Sequence, residues 1–425
     1  MISPCERAIA RPDHTATLGP PRDIRIDFFR GLALIFIFID HVPGNMLAQL
    51  TLRNFGLSDA SELFVLLAGF SAALAYGSAF DGGAWKAGPA RIGRRIAELY
   101  GAHLLLLVIC VGGLAIIARA FENPVYFEHV NLAPFGYDPL AAIWRALVLQ
   151  HQPAYLDILP LYMLLLAWFC VLVALARVHA VLALVASAAL WAIANFNGLN
   201  LPSYPDSFGW YFNPFAWQLL FGLGVLAGLA HRRGAPVPRS HWLCIAAIAY
   251  LLFAFLLVAP WTQIPGWEDQ KLLPRDLLGP ISKQNLSLWR LANILAFAYM
   301  IAISVPASAS WLRHPCLRWV INLGRNALEV FCTGTISSLV GFVVLVEINR
   351  GMAAQLAVNL GGLLAMGLTA WWAGKRKQRH RTAAISHGVV IGRASGRRTL
   401  YWLHDRTLRW SCGRHSSPPL RWRRH

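Results

Sequence analysis

The feature that most constrains this chain is a succession of apolar runs about twenty residues long, each sufficient to cross a bilayer as a helix. Asp27 to Gly77 sets the pattern: two such runs flank a short loop rich in Asn, Gly, Ser and Asp. Inside lipid every backbone N–H and C=O needs an internal partner, so runs of this kind fold as α-helices. Of the 425 residues, 57% are hydrophobic and 14% charged, and mean hydropathy is +0.49. That balance excludes an ordinary soluble domain. The predicted fold is all-α, a polytopic integral membrane protein with about ten transmembrane helices.

The first run carries unusual cargo, with Arg30 near its start and Asp40-His41 deep inside. An ionisable side chain at membrane depth costs at least about 2.5–3.5 kcal/mol, so it faces a cavity or a partner within the bundle. Arg30 and His41 are eleven positions apart. On a helix that spacing is about three turns, within about 20° of one face and about 16 Å along the axis. It predicts a narrow cleft that binds an anion at its mouth and is basic at its reactive end. Snorkelling would explain Arg30 alone and core packing His41 alone. Neither explains both on one face beside Asp40.

The net charge of +18 is unevenly placed. Gly374 to His425 holds 14 of the 38 Lys and Arg residues against one acid, Asp405, and so supplies +13. A basic tail beside a membrane is a positive-inside anchor touching anionic lipid, and no nucleic-acid partner is expected. The seven cysteines have neither paired nor metal-ligand spacing, so neither a disulfide framework nor a metal is expected. Met1 to Ile26 contains no apolar signal-peptide core, and insertion is expected to begin with the first membrane helix. The domain reading is a flexible cytoplasmic arm at 1–25, a membrane domain at 26–374, and a basic tail at 375–425 without helical or strand periodicity.

Along the membrane domain, spans are predicted near 28–47, 63–80, 96–118, the region after Asp157, 180–196, 212–230, 242–259, 288–305, 327–346 and 352–372. Lys and Arg concentrate on one side and place both termini in the cytoplasm. Arg91, Arg94 and Arg95 lie at i, i+3 and i+4, on one helix face and on Arg30's side of the membrane. They serve either as positive-inside anchors or as a phosphate clamp, because guanidinium groups match phosphate oxygens. On the other side, Phe121 to Ala154 reads as a substrate-facing loop that ends in His151, Gln152, Tyr155 and Asp157. Asp157 sits in a Leu-rich context that favours a cavity role. The stretch from Asn197 to Phe215 has many rings and amides and no Lys or Arg. It suits a sugar-binding lip or an interfacial aromatic belt equally. A further outer segment carries Trp261, Trp267, Glu268, Asp269 and Lys271.

Three strings, RIDFFRGLALIFIFIDHVPGN, NFGLSDASELFVLLAGFSAALAYG and LQHQPAYLDILPLYMLL, resemble the OpgC family of inner-membrane proteins, a branch of the membrane acyltransferase-3 superfamily. The resemblance covers about Arg25 to Trp372 and leaves the tail outside. It implies transfer of succinyl groups to osmoregulated periplasmic glucans. The superfamily's helix-one Arg and His are met by Arg30 and His41, and its Arg-x-x-Arg at the start of helix three by Arg91 and Arg94.

The expected site then has Arg30, Arg91, Arg94 and Arg95 holding the phosphates of cytosolic acyl-CoA, with no tightly bound cofactor. His41, whose ordinary pKa near 6.5 suits a base at neutral pH, would deprotonate an acceptor hydroxyl. Asp40 points about 100° away on an unbroken helix and can orient His41 only if the helix breaks near Pro43-Gly44. Glu62 is a further catalytic candidate, and Asn54, Asp59, His151 and Asp157 are candidates for holding the glycan acceptor. Succinyl rests on the resemblance; an acetyl group fits the residues equally. The rival reading is a transporter or flippase for an anionic or glycosylated substrate. It is disfavoured because no internal repeat relates the two halves.

Overall fold

A computed structural model describes residues 23–81, 87–123, 125–259, 272–274, 278–348 and 350–386, with no side-chain description for 381–386. Most of the 1–25 arm, the outer residues Trp261, Trp267, Glu268, Asp269 and Lys271, and the tail from 387 lie outside the described residues. The chain divides into two compact units, Met1–Gly374 and Lys375–His425.

The described residues are helical and contain no strand. The helices are α1 (Ile24–Asp40), α2 (Ala60–Tyr76), α3 (Ala87–Phe121), α4 (Val125–His129), α5 (Ala133–Tyr137), α6 (Pro139–Leu147) and α7 (Ile158–Val178). They continue with α8 (Ala180–Phe196), α9 (Pro214–Arg232), α10 (His241–Val258), α11 (Leu288–Ser304), α12 (Arg318–Arg325), α13 (Ala327–Glu347) and α14 (Met352–Ser386). Seven are long and apolar enough to cross a membrane: α2 with the 3-10 turn that extends it, α3, α7, α9, α10, α13 and α14. Two shorter apolar helices, α8 and α11, join them. With α1, they are the helices found at the positions of the ten predicted spans.

Three boundaries differ from the sequence reading. The first span stops at Asp40 instead of Leu47, with His41 as its C-cap. Pro43 has no N–H to give to the Ile39 carbonyl and disfavours helical geometry at Val42. The Ile39 carbonyl accepts instead from Val42 N at 3.3 Å and from Asn45 Nδ2 at 3.1 Å. A 3-10 turn at Met46–Leu50 and another at Leu52–Asn54 then fold the chain back over the end of α1. The expected outer loop at 121–154 is built from the short helices α4, α5 and α6. The last helix runs on to Ser386, past the point where apolar periodicity stops.

The core is the junction of α1, α2, α7, α9 and α13, where Phe38, Leu161, Phe169, Trp217 and Val330 are buried. Lipid offers no hydrophobic drive for helices to associate, so close backbone approach and internal polar bridges must hold them. A β-carbon on Gly69 would lie 2.1 Å from the Phe221 carbonyl oxygen, and one on Gly224 2.2 Å from that of Leu66. The backbones of α2 and α9 therefore touch directly. Gln218 bridges the neighbours, accepting from Trp168 Nε1 at 3.0 Å and donating to the Ser187 carbonyl at 2.8 Å. Gly224→Val should force α2 and α9 apart, at a cost of about 2 kcal/mol or more. The check is the thermal midpoint of the detergent-solubilised protein; an unchanged midpoint would contradict this packing.

Candidate active site

The end of α1, the start of α2, the approach to α7 and the segment before α11 enclose a cavity of about 630 Å³. Asp40, His41, Asp59, Tyr155, Asp157 and Lys283 line it. His41 Nδ1 lies 2.6 Å from the Ile37 carbonyl oxygen. A carbonyl can only accept, so Nδ1 carries a proton, and in the neutral ring Nε2 keeps the lone pair. The Tyr155 ring packs edge-on against the imidazole at 4.7 Å between centroids, and its hydroxyl meets His129 Nε2 at 2.9 Å. Tyr155 holds this place with φ of 72°, a conformation uncommon for a bulky residue.

Because α1 ends where it does, Asp40 turns toward the following 3-10 turns and away from His41. Its Oδ1 accepts from Thr51 Oγ1 at 2.7 Å and faces Arg53 Nε at 3.6 Å. Asp59 and Glu62 form the capping box of α2. Asp59 Oδ1 accepts from Ser61 N at 2.8 Å, and Glu62 Oε2 accepts from Asp59 N at 2.9 Å. The same two carboxylates bind cations: Lys283 Nζ donates to Asp59 Oδ2 at 2.6 Å, and Arg290 reaches Glu62 Oε1 at 2.6 Å and Asp59 Oδ2 at 3.1 Å. Burial pushes the Asp59 carboxyl up, but Lys283 and Arg290 outweigh it and hold the group well below the usual carboxylate range. Burial likewise pushes the Lys283 ammonium down, and Asp59 with Glu62 more than restores it.

A second cavity, of about 280 Å³, lies toward the other end of α1. Arg30 and Arg95 line it with Ser71, Tyr76, Glu98 and Tyr162. Arg30 donates to Ser71 Oγ and to the Leu67 carbonyl, and Arg95 pairs with Glu98 at 2.9 Å. Two apolar side chains, Ile158 of α7 and Phe331 of α13, belong to the walls of both cavities. The single cleft expected from the Arg30–His41 spacing is thus two chambers at successive levels of α1, with an apolar partition between.

The predicted residues separate accordingly. His41, Asp40, Asp59 and Asp157 come together in the larger chamber, and Arg30 and Arg95 in the smaller. Arg91 and Arg94 sit on the exposed face of α3 and line neither. Glu62 is fully buried in its cap and ion pair, outside the larger chamber's lining. Asn54 also lies outside that lining and donates to the Ala48 carbonyl at 2.7 Å. His151 is buried behind the wall, its Nδ1 2.8 Å from the Tyr204 carbonyl. The aromatic stretch before α9 does reach the site: Tyr204, Phe208, Trp210 and Tyr211 line the larger chamber. Sequence reasoning missed Arg53, Lys283 and Arg290. For Asp59 and Glu62 a signal was present, since Asp-x-x-Glu ahead of an apolar run is a capping box.

The fold and its chambers define a multi-pass membrane protein with an imidazole in a cavity at one level of a helix and two arginines in a cavity at another. The chain belongs to the OpgC family: the family's sequence profile, described as OpgC protein, matches residues 22–378. Membership implies a transferase. No curated protein matches the chain.

Asp157 gives a test of the chamber's polarity. It caps α7 without a side-chain hydrogen bond, and burial pushes its carboxyl up to about 6 from 3.8. The folded state therefore binds more protons than the unfolded state between those values, and stability falls as pH rises through the window. Asp157→Asn removes that penalty. Its thermal midpoint should exceed the wild type's at pH 7.5, and the gain should vanish near pH 4. A gain that is independent of pH would contradict the assignment.

Proposed function

We propose that this protein moves an acyl group, succinyl by its family resemblance, from cytosolic acyl-CoA to a hydroxyl of a periplasmic glucan. The bacterial inner membrane is its site, with both termini cytoplasmic. The observation that carries this reading is the pair of chambers along α1, cationic at one level and containing the His41 base at the other. Anion recognition and proton abstraction are thereby separated along the membrane normal, as a donor and an acceptor on opposite sides require.

In this mechanism Arg30 and Arg95 take phosphate oxygens of the donor, Arg95 exchanging Glu98 for the ligand. Arg91 and Arg94 lie on the exposed face of the same helix and extend the positive field toward the cytosol. The acyl-bearing arm passes between Ile158 and Phe331. In the larger chamber, rings such as Tyr204 and Trp210 offer flat faces to a sugar, and Asp157 with Gln150 and Gln152 offers partners for hydroxyls. His41 Nε2 accepts the proton of the attacking hydroxyl as its oxygen bonds to the thioester carbonyl carbon. The carbon–sulfur bond then breaks, and His41 returns the proton to the leaving thiolate. The products are a glucan ester and free CoA, and His41 ends as it began. Tyr155, packed on the imidazole, and the Ile37 carbonyl on Nδ1 keep the ring aimed.

The test uses membranes containing the wild type or His41→Ala, supplied with radiolabelled succinyl-CoA or acetyl-CoA and a periplasmic glucan fraction. The wild type should place label on glucan. His41→Ala should lose at least about a hundredfold of that rate, the scale of general-base catalysis, while still binding CoA. Full activity in the variant would remove His41 from the chemistry. No transfer from either donor would overturn the reading and favour a transporter.

A further inference from the structure

We infer that Arg53 selects the donor: the transferred acyl group ends in a carboxylate, and Arg53 holds that carboxylate while His41 acts at the thioester. This rests on the acyl-transfer reading and adds to it the residue that sets acyl specificity.

Among the described residues, two cationic side chains from outside α1 line the larger chamber, Arg53 and Lys283. Lys283 is committed to the architecture. Its Nζ lies 2.6 Å from Asp59 Oδ2, and its carbonyl accepts from Trp217 Nε1 at 3.1 Å. Arg53 is held differently. Its Nε stands 3.6 Å from Asp40 Oδ1, beyond hydrogen-bond range, and that oxygen already accepts from Thr51. The Arg53 side chain is 47% exposed although it borders the chamber. An open, long ion pair of this kind holds an arginine weakly. The guanidinium therefore keeps a fork of donors for a planar carboxylate, which it can bind bidentately.

Its position fits that role. Thr51 ties the turn bearing Arg53 to Asp40, the residue beside His41. Arg53 and His41 also line the same chamber, so a group gripped by Arg53 lies in the space into which His41 opens. Of the chamber's carboxylates, Asp59 is matched by Lys283 and Arg290 and Asp40 faces Arg53, while Asp157 and Asp206 present negative charge to an anionic acyl end entering it. Of Arg53 and Lys283, Arg53 is the more loosely held, its ion pair standing at 3.6 Å against 2.6 Å for that of Lys283. A neutral acetyl group has nothing for it to hold; the mono-thioester of a short dicarboxylic acid does.

The test compares wild type, Arg53→Gln and Arg53→Lys at matched levels in membranes, with succinyl-CoA and acetyl-CoA supplied separately and glucan as acceptor. The wild type should prefer succinyl. Arg53→Gln should lower the succinyl-to-acetyl ratio of kcat/KM by about tenfold or more, the loss of one charge-assisted pair. Arg53→Lys should fall between, since it keeps the charge without the fork. If Arg53 served only to brace Asp40 and His41, both donors would fall together and the ratio would hold, which overturns the inference. A wild type that shows no succinyl preference also overturns it and leaves the acyl-transfer reading standing. Absence of transfer from both donors removes that reading and this inference with it.

Discussion

The structure depends on four charges gathered at the head of α2. Asp59 and Glu62 satisfy the first N–H groups of that helix and, with their remaining oxygens, bind Lys283 and Arg290. Each ion has left water, and the desolvation cost is offset only because every member is both paired and hydrogen-bonded. Removing one member would leave its partner buried and uncompensated, at about 3–5 kcal/mol. The cluster also locates a wall. Lys283 and Gln284 give their carbonyls to Trp217 of α9, and Gln284 Nε2 reaches the carbonyls of Phe208 and Trp210. The aromatic side of the larger chamber is thereby fixed against the same point as the start of α2. Glu62 contributes to this placement through its cap and its ion pair with Arg290.

The direct contact of α2 with α9 serves the same end from below. With Gly69 and Gly224 letting the two backbones meet, α2 cannot slide, and its capped end stays beside the end of α1. α1 then links the two chambers as one rigid rod. Its Arg30 faces the smaller chamber and its C-cap His41 the larger, at a spacing set by helix geometry and not by loops. Sites carried on a rigid element keep their distances better than sites on loops. On the acyl-transfer reading, a base and an anion subsite that act on two ends of one donor gain most from that.

The helices were legible in the sequence because an apolar run of membrane length has few other ways to satisfy its backbone. Arg30, Asp40 and His41 were legible for the converse reason, as ionisable groups where such groups are costly. Arg53, Lys283 and Arg290 were not, since each reads locally as an ordinary loop or helix-end cation. Only the fold brings Lys283 and Arg290 to Asp59 and Glu62, and the 3-10 turns after α1 bring Arg53 back to Asp40. Arg91, Arg94 and Arg95 lie on one helix, as their spacing implies, but which edge of that face turns inward is set by how α3 packs on α7. Arg95 sits on that edge. The predicted first span overruns the helix because Pro43 ends it at the preceding turn instead of breaking it midway.

The partition explains why the site is divided at all, on the acyl-transfer reading. An open polar channel from Arg30 to His41 would carry water to the thioester and ions across the membrane. Ile158 and Phe331 place apolar surface at the crossing, which neither water nor an ion traverses cheaply. A slender arm that carries no charge of its own can cross there by displacing two side chains, while its phosphates stay behind with the arginines. An acyl group ending in a carboxylate meets a barrier at the same place, and the cation that compensates it must lie beyond the partition. Arg53 is on that far side, among the residues lining the larger chamber and absent from the wall of the smaller. The same apolar crossing that protects the thioester thus gives a cation beside His41 its use.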